Sequence, residues 1–101
     1  MDNINDIYNQ YMVITINEKE CDKQYLCTCV KNNAKDIVFT PVNKLVFDYV
    51  VYLPPNTLER DVFTEENMTA KIYDFGDCFL NKGTIVEIRY EYLGDVVYLK
   101  C

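Results

Sequence analysis

Residues 71–101 read KIYDFGDCFLNKGTIVEIRYEYLGDVVYLKC, and the way this stretch pairs with itself decides the fold. Glycine in Gly94-Asp95 suits the first, positive-φ position of a type II′ turn, which makes that dipeptide a two-residue hairpin loop. Leu93 then faces Val96, Tyr92 faces Val97, Glu91 faces Tyr98, Tyr90 faces Leu99, and Arg89 faces Lys100. One side of the ribbon collects Ile88, Tyr90, Tyr92, Val97, Leu99 and Cys101; the other collects Glu87, Arg89, Glu91, Tyr98 and Lys100. Side chains alternate with period two, so a slip of one residue would mix these sets. The separation predicts a C-terminal β-hairpin over about 84–101.

Upstream of the hairpin stands Asp74-Phe75-Gly76, the tripeptide with which a protein kinase holds its catalytic magnesium. A kinase also needs a glycine-rich phosphate loop, a paired lysine and an HRD-type loop. The 101-residue chain has none of these and no histidine. The tripeptide therefore reads as part of a connection, DFGDCFLNKG, between a strand AKIYDF and the hairpin. Gly76 and Gly83 are expected to give it turn freedom, and Phe75, Phe79 and Leu80 to fill the edge of the core.

Towards the N-terminus, Ile4, Ile7, Tyr8 and Tyr11 recur at helical spacing behind Asp2 or Asn3 as caps, predicting a short helix over about 3–11. YMVITI alternates and is β-branched, a strand to about Ile16. NEKECDK reads as a charged turn, QYLCTCVK as a second strand and IVFT as a third, closed by Pro41. KLVFDYVVYL, apolar at almost every position, reads as a strand covered on both faces, with Asp48 pointing to a polar rim. After Pro54-Pro55 comes an acidic connection, NTLERDVFTEENMT, with Thr57 or Thr64 able to cap a helical turn. No linker, repeat or low-complexity tract divides residues 1–101, which read as one domain.

KIYDF…FLNKGTIVEI resembles the conserved part of an SH3 domain, where an aromatic-Asp-aromatic strand precedes a turn and a Lys-Gly opening the next strand. The likeness covers about twenty residues, and the chain has no tryptophan to floor a peptide groove. It implies a small barrel without proline-peptide binding. The expected fold is mainly β (α+β): a small twisted antiparallel sheet or SH3-like rolled barrel of five to seven strands, with the N-terminal helix.

Composition removes many functions. With no His and no Ser, a Ser–His–Asp arrangement is impossible, and a Cys nucleophile lacks its usual base. Non-enzymatic function is the expectation. The five cysteines (21, 27, 29, 78 and 101) have no knuckle spacing, so no metal or other cofactor is expected, and free packed thiols are. The N-terminus lacks the features of a signal peptide, which points to the cytoplasm, or to the host's cytoplasm for a viral chain. Ten asparagines among many Ile, Lys, Tyr and Phe suggest an AT-rich genome.

The net charge of −6 is uneven: −1 over residues 1–47 and −5 over residues 48–101. Such a surface repels nucleic acid and anionic membrane, and steers basic partners in. Direct nucleic-acid or membrane contact is therefore not expected, while self-association stays open. The candidate partner-binding residues are Glu59, Asp61, Glu65, Glu66, Asp74, Asp77, Glu87, Glu91 and Tyr98. In size and acidity the chain resembles phage-encoded inhibitors of host defence, including anti-CRISPR proteins. That resemblance implies an acidic, Tyr-bearing surface docked on a basic nuclease or other nucleic-acid-binding enzyme. Two alternatives stay open. One is a structural or accessory subunit of a virion or complex that binds through an exposed strand edge at 96–101. The other is a small β-barrel that holds a small molecule.

Overall fold

A computed structural model describes residues 7–33, 35, 37–39, 44–59 and 67–101. Eight strands follow one another: β1 (Gln10–Ile16), β2 (Lys19–Lys31), β3 (Ile37–Phe39), β4 (Lys44–Val46), β5 (Tyr49–Leu53), β6 (Met68–Asp74), β7 (Phe79–Glu91) and β8 (Gly94–Lys100). Six of them close an antiparallel barrel in the order β1-β2-β5-β8-β7-β6, and β3 pairs with β4 as a separate ribbon. The small antiparallel barrel expected from the sequence is thus present.

The barrel consists of two three-stranded meanders, β1-β2-β5 and β6-β7-β8, joined where β5 meets β8 and β1 meets β6. Its two 13-residue strands close it. β2 pairs with β1 through its first part and with β5 through its last, and β7 divides itself between β6 and β8 in the same manner. Irregularities beside Ile14 in the β1–β2 pair, Tyr73 in the β6–β7 pair and Val86 in the β7–β8 pair bend the strands, and the last lies where β7 passes from β6 to β8. Every second side chain points inward, and Met12, Ile14, Cys27, Met68, Ile72, Val97 and Leu99 fill the interior. A second cluster lies outside the barrel, where Phe47 packs on Val50, Val96 and Tyr98 next to Leu45 of β4.

Several expectations need correction. Of the helix expected over 3–11, residues 1–6 lie outside the described residues; Ile7 is helical, but Gln10 and Tyr11 already belong to β1, and no helical element occurs among the described residues. NEKECDK is not a charged turn. Asn17 and Glu18 alone turn, both at positive φ (50° and 69°), as a type I′ loop requires, and the rest is β2. The run 44–53 is two strands, broken at Phe47-Asp48. Asp48 is exposed, as expected, and its Oδ2 accepts the Cys101 N–H at 2.8 Å.

The C-terminal hairpin exists, but its loop is Tyr92-Leu93. Glu91 pairs with Gly94, Ile88 with Val97 and Glu87 with Tyr98. The observed register differs from the expected one by four residues, an even number, so Ile88, Val97 and Leu99 still share the buried face. Gly94 answers a packing demand rather than a turn demand: at φ 156°, a Cβ there would sit 2.3 Å from the Leu53 carbonyl oxygen. The connection at Asp74-Phe75-Gly76 is a turn, as expected, but shorter, because β7 begins at Phe79 and takes in Gly83. Phe75, Phe79 and Leu80 do not fill the core edge; they are exposed. The stretch 96–101 is not a free edge, because β8 is paired on both sides, by β5 and β7.

Candidate functional site

The end of the barrel formed by the end of β5 and the β7–β8 loop is held by one buried carboxylate. Asp95, 2 % exposed, accepts the N–H groups of Thr57 (3.0 Å) and Leu58 (2.8 Å) on Oδ2. Thr57 Oγ1 donates to the Pro54 carbonyl, Asn56 takes the left-handed conformation, and Leu58 inserts into the core. These contacts bring the segment after Pro54-Pro55 onto the hairpin. They explain why an aspartate follows Gly94: it satisfies two backbone donors that would otherwise be buried unpaired.

The rigid frame carries an apolar tip. Tyr92 is 96 % exposed and Leu93 83 %, although large apolar side chains are seldom placed in a two-residue loop. Beside them lies a hollow of about 240 Å³ lined by Tyr8, Tyr52, Glu91 and Leu93. The segment leading into β1 reaches this surface because Thr28 Oγ1 donates to the Ile7 carbonyl and the Gln10 side chain accepts the Cys29 N–H. Glu91 lines this hollow, and the exposed Glu59 follows Leu58, whose N–H donates to Asp95. The tip and the hollow thus present phenol rings and a leucine beside the Glu91 carboxylate.

The candidate acids among the described residues do not gather at one place. Asp74 and Asp77 belong to the β6–β7 turn, at the opposite end of the barrel from Glu59 and Glu91. Asp74 is occupied structurally: its Oδ1 accepts the N–H groups of Gly76 (2.8 Å) and Cys78 (2.9 Å). Asp77 accepts the Tyr11 hydroxyl at 2.7 Å, and this bond, with smaller contributions from desolvation and charge, pushes the phenol up to about 12. Glu87 is half-buried on β7, opposite Tyr98. Asp61, Glu65 and Glu66 lie outside the described residues.

Tyr98 corrects the sequence reading of an exposed polar face. It is 9 % exposed, packed edge-on against Phe47 (4.9 Å), with the Arg89 guanidinium 5.7 Å from its ring. Tyr52, Tyr92 and Leu93 were missed as site residues; with the turn placed at Gly94-Asp95, Tyr92 and Leu93 became strand residues. The cysteines are free: Cys27 is buried, Cys78 and Cys101 exposed. Among the described residues, no three Cys, Asp or Glu side chains are grouped to hold a metal ion. No helix there is long and apolar enough to cross a membrane. No family model, curated protein or solved structure matches the chain.

Proposed function

We propose that the chain is a non-enzymatic protein-binding module that docks its Tyr52–Tyr92–Leu93 surface, bordered by Glu59 and Glu91, on a basic partner. The carrying observation is the nearly complete exposure of Tyr92 and Leu93 at a loop whose base is fixed by the buried Asp95. Aromatic side chains on a rigid support are the usual anchors of an interface, because they cover much area at small cost in side-chain entropy. The carboxylates around them, on a chain of net charge −6, steer a positively charged surface towards the anchors. A nuclease or other nucleic-acid-handling enzyme offers such a surface. An inhibitor of a host defence enzyme, encoded by a phage or mobile element and acting in the host cytoplasm, is the biological form this reading takes.

The test is capture from nuclease-treated lysate on immobilised protein, with elution by rising salt. The wild type retains a basic nucleic-acid enzyme. Tyr92→Ser/Leu93→Ser weakens the purified pair by roughly 1–3 kcal/mol, a loss of about 5- to 150-fold. Glu59→Lys/Glu91→Lys lowers the salt needed for elution. Equal retention by all three proteins, or recovery of neutral partners alone, refutes the reading.

A second reading, the accessory subunit, draws support from the β3–β4 ribbon. It pairs with no barrel strand, and Ile37, Phe39 and Val46 are 47 %, 69 % and 54 % exposed on it. Among the described residues neither of its edges is paired, which leaves both for strand addition.

A further inference from the structure

Among the described residues, the outer surface of the barrel is covered on one side only. The β3–β4 ribbon and Phe47 lie over β5 and β8, whereas the outward side chains of β1, β6 and β7 form an open face. Strand register arranges this face in rows that run across the strands. The first is aromatic: Tyr11 pairs with Tyr73, and Tyr73 with Phe79. The first two rings stack at 5.2 Å and 15°, and Phe79 meets Tyr73 edge-on at 5.9 Å. The second row sets Lys71 directly opposite Lys82. In the third, Thr15, Thr69 and Thr84 pair in sequence, and Thr84 pairs onward with Lys100.

Two features of this pattern are not needed by the fold. Like charges directly across a sheet destabilise it, yet Lys71 and Lys82 are so placed, with Lys100 lining the same hollow of about 400 Å³. No carboxylate side chain lines that hollow, in a chain with 16 acidic residues; the Asp48 carboxylate accepts the N–H of Cys101 at its rim. Phe79 remains 53 % exposed beside its two partners, and Phe75 52 %. Two ammonium groups in the row beside the rings, with a third one row further on, match an anionic polymer that carries flat bases.

We propose that the open face of β1, β6 and β7 binds single-stranded nucleic acid, with phosphates on Lys71, Lys82 and Lys100 and bases over Tyr11, Tyr73 and Phe79. Rows two residues apart along a strand are separated by about 6.7 Å, which lets a base lie on a ring while its phosphate reaches an ammonium. Asp77, bonded to Tyr11 at the edge of the aromatic row, repels phosphate there and so fixes which side of the strand faces the rings. Glu18 does the same at the far side, where it lines the neighbouring hollow beyond the threonines. A duplex keeps its bases stacked inside and cannot use the rings, and an acidic peptide would use the lysines alone. The net charge of −6 argues against binding only at long range, since screening confines each charge to about 8–10 Å at ordinary salt. This site is separate from the Tyr92–Leu93 tip, and it stands or falls without it.

The experiment is fluorescence anisotropy of labelled oligothymidine and oligouridine, with a duplex of equal length and poly-glutamate as competitors, over a range of salt. Three phosphate contacts predict a slope of log K on log salt of about −2. Lys71→Glu/Lys82→Glu, the first half-buried and the second exposed on the outer face, abolishes binding and leaves the circular dichroism unchanged. Phe79→Ala weakens it about 5- to 100-fold without changing the slope. Glu59→Lys/Glu91→Lys does not reduce it. The proposal is overturned by absence of binding at low salt, by a duplex or poly-glutamate binding as tightly as the single strand, or by indifference to the lysine variant.

Discussion

Gly94 and Asp95 are adjacent, and both were read from the sequence as loop residues; each has a different task. Gly94→Ala forces a Cβ to within 2.3 Å of the Leu53 carbonyl oxygen and is expected to cost about 2–3 kcal/mol, read as a lower urea midpoint. Asp95→Ala leaves the N–H groups of Thr57 and Leu58 unpaired, a loss of about 2–3 kcal/mol by the same measurement. At Tyr11 the hydroxyl bond to Asp77 holds the phenol at about 12, so ultraviolet titration is expected to find it among the last tyrosines to ionise. Asp77→Asn removes the charge that favours the neutral phenol and moves that step to lower pH. None of these roles was legible, because each depends on a partner from 37 to 66 residues away in the chain.

Among elements, the β7–β8 hairpin separates what alternation determines from what it leaves open. Periodicity placed Ile88, Val97 and Leu99 on one face whichever loop was chosen, since the candidate registers differ by an even number of residues. Loop chemistry favoured Gly94-Asp95, and tertiary packing overrode it. Residues Tyr92 and Leu93 make few contacts, so Tyr92→Ser/Leu93→Ser is expected to shift stability by less than about 0.5 kcal/mol in thermal unfolding. A larger loss would assign the tip a structural role and weaken its reading as an anchor. Strand β2 gives the converse lesson: its charged first half, exposed at Lys19, Glu20, Asp22 and Lys23, looked like a loop only because that part faces solvent.

For the whole molecule, closure governs both kinetics and pH response. Each meander must find the other through the β1–β6 and β5–β8 pairs, which join residues far apart in sequence. Refolding is therefore expected on the millisecond-to-second scale in stopped-flow fluorescence, as for other small β-folds. Burial inside the barrel raises the thiols of Cys27, to about 12, and Cys29, to about 11, from an ordinary 9.0, with neighbouring thiols adding to each. The folded state thus favours the neutral thiol. That stabilisation is complete below pH 9 and is lost as pH rises through 11 to 12. Melting temperature is expected to fall above pH 9 less steeply in Cys27→Val/Cys29→Val than in the wild type.

The sequence by itself determined the β class, the barrel-sized length, the shared buried face of Ile88, Val97 and Leu99, the turn at Asp74-Phe75-Gly76 and the shortage of catalytic groups, because all of these follow from local alternation and composition. Tertiary structure alone decided which strands are neighbours. Pairing is set by contacts between residues remote in the chain, and pairing is what put Lys71 beside Lys82, Tyr73 between Tyr11 and Phe79, and Asp74 and Asp77 at the opposite end of the barrel from Glu91.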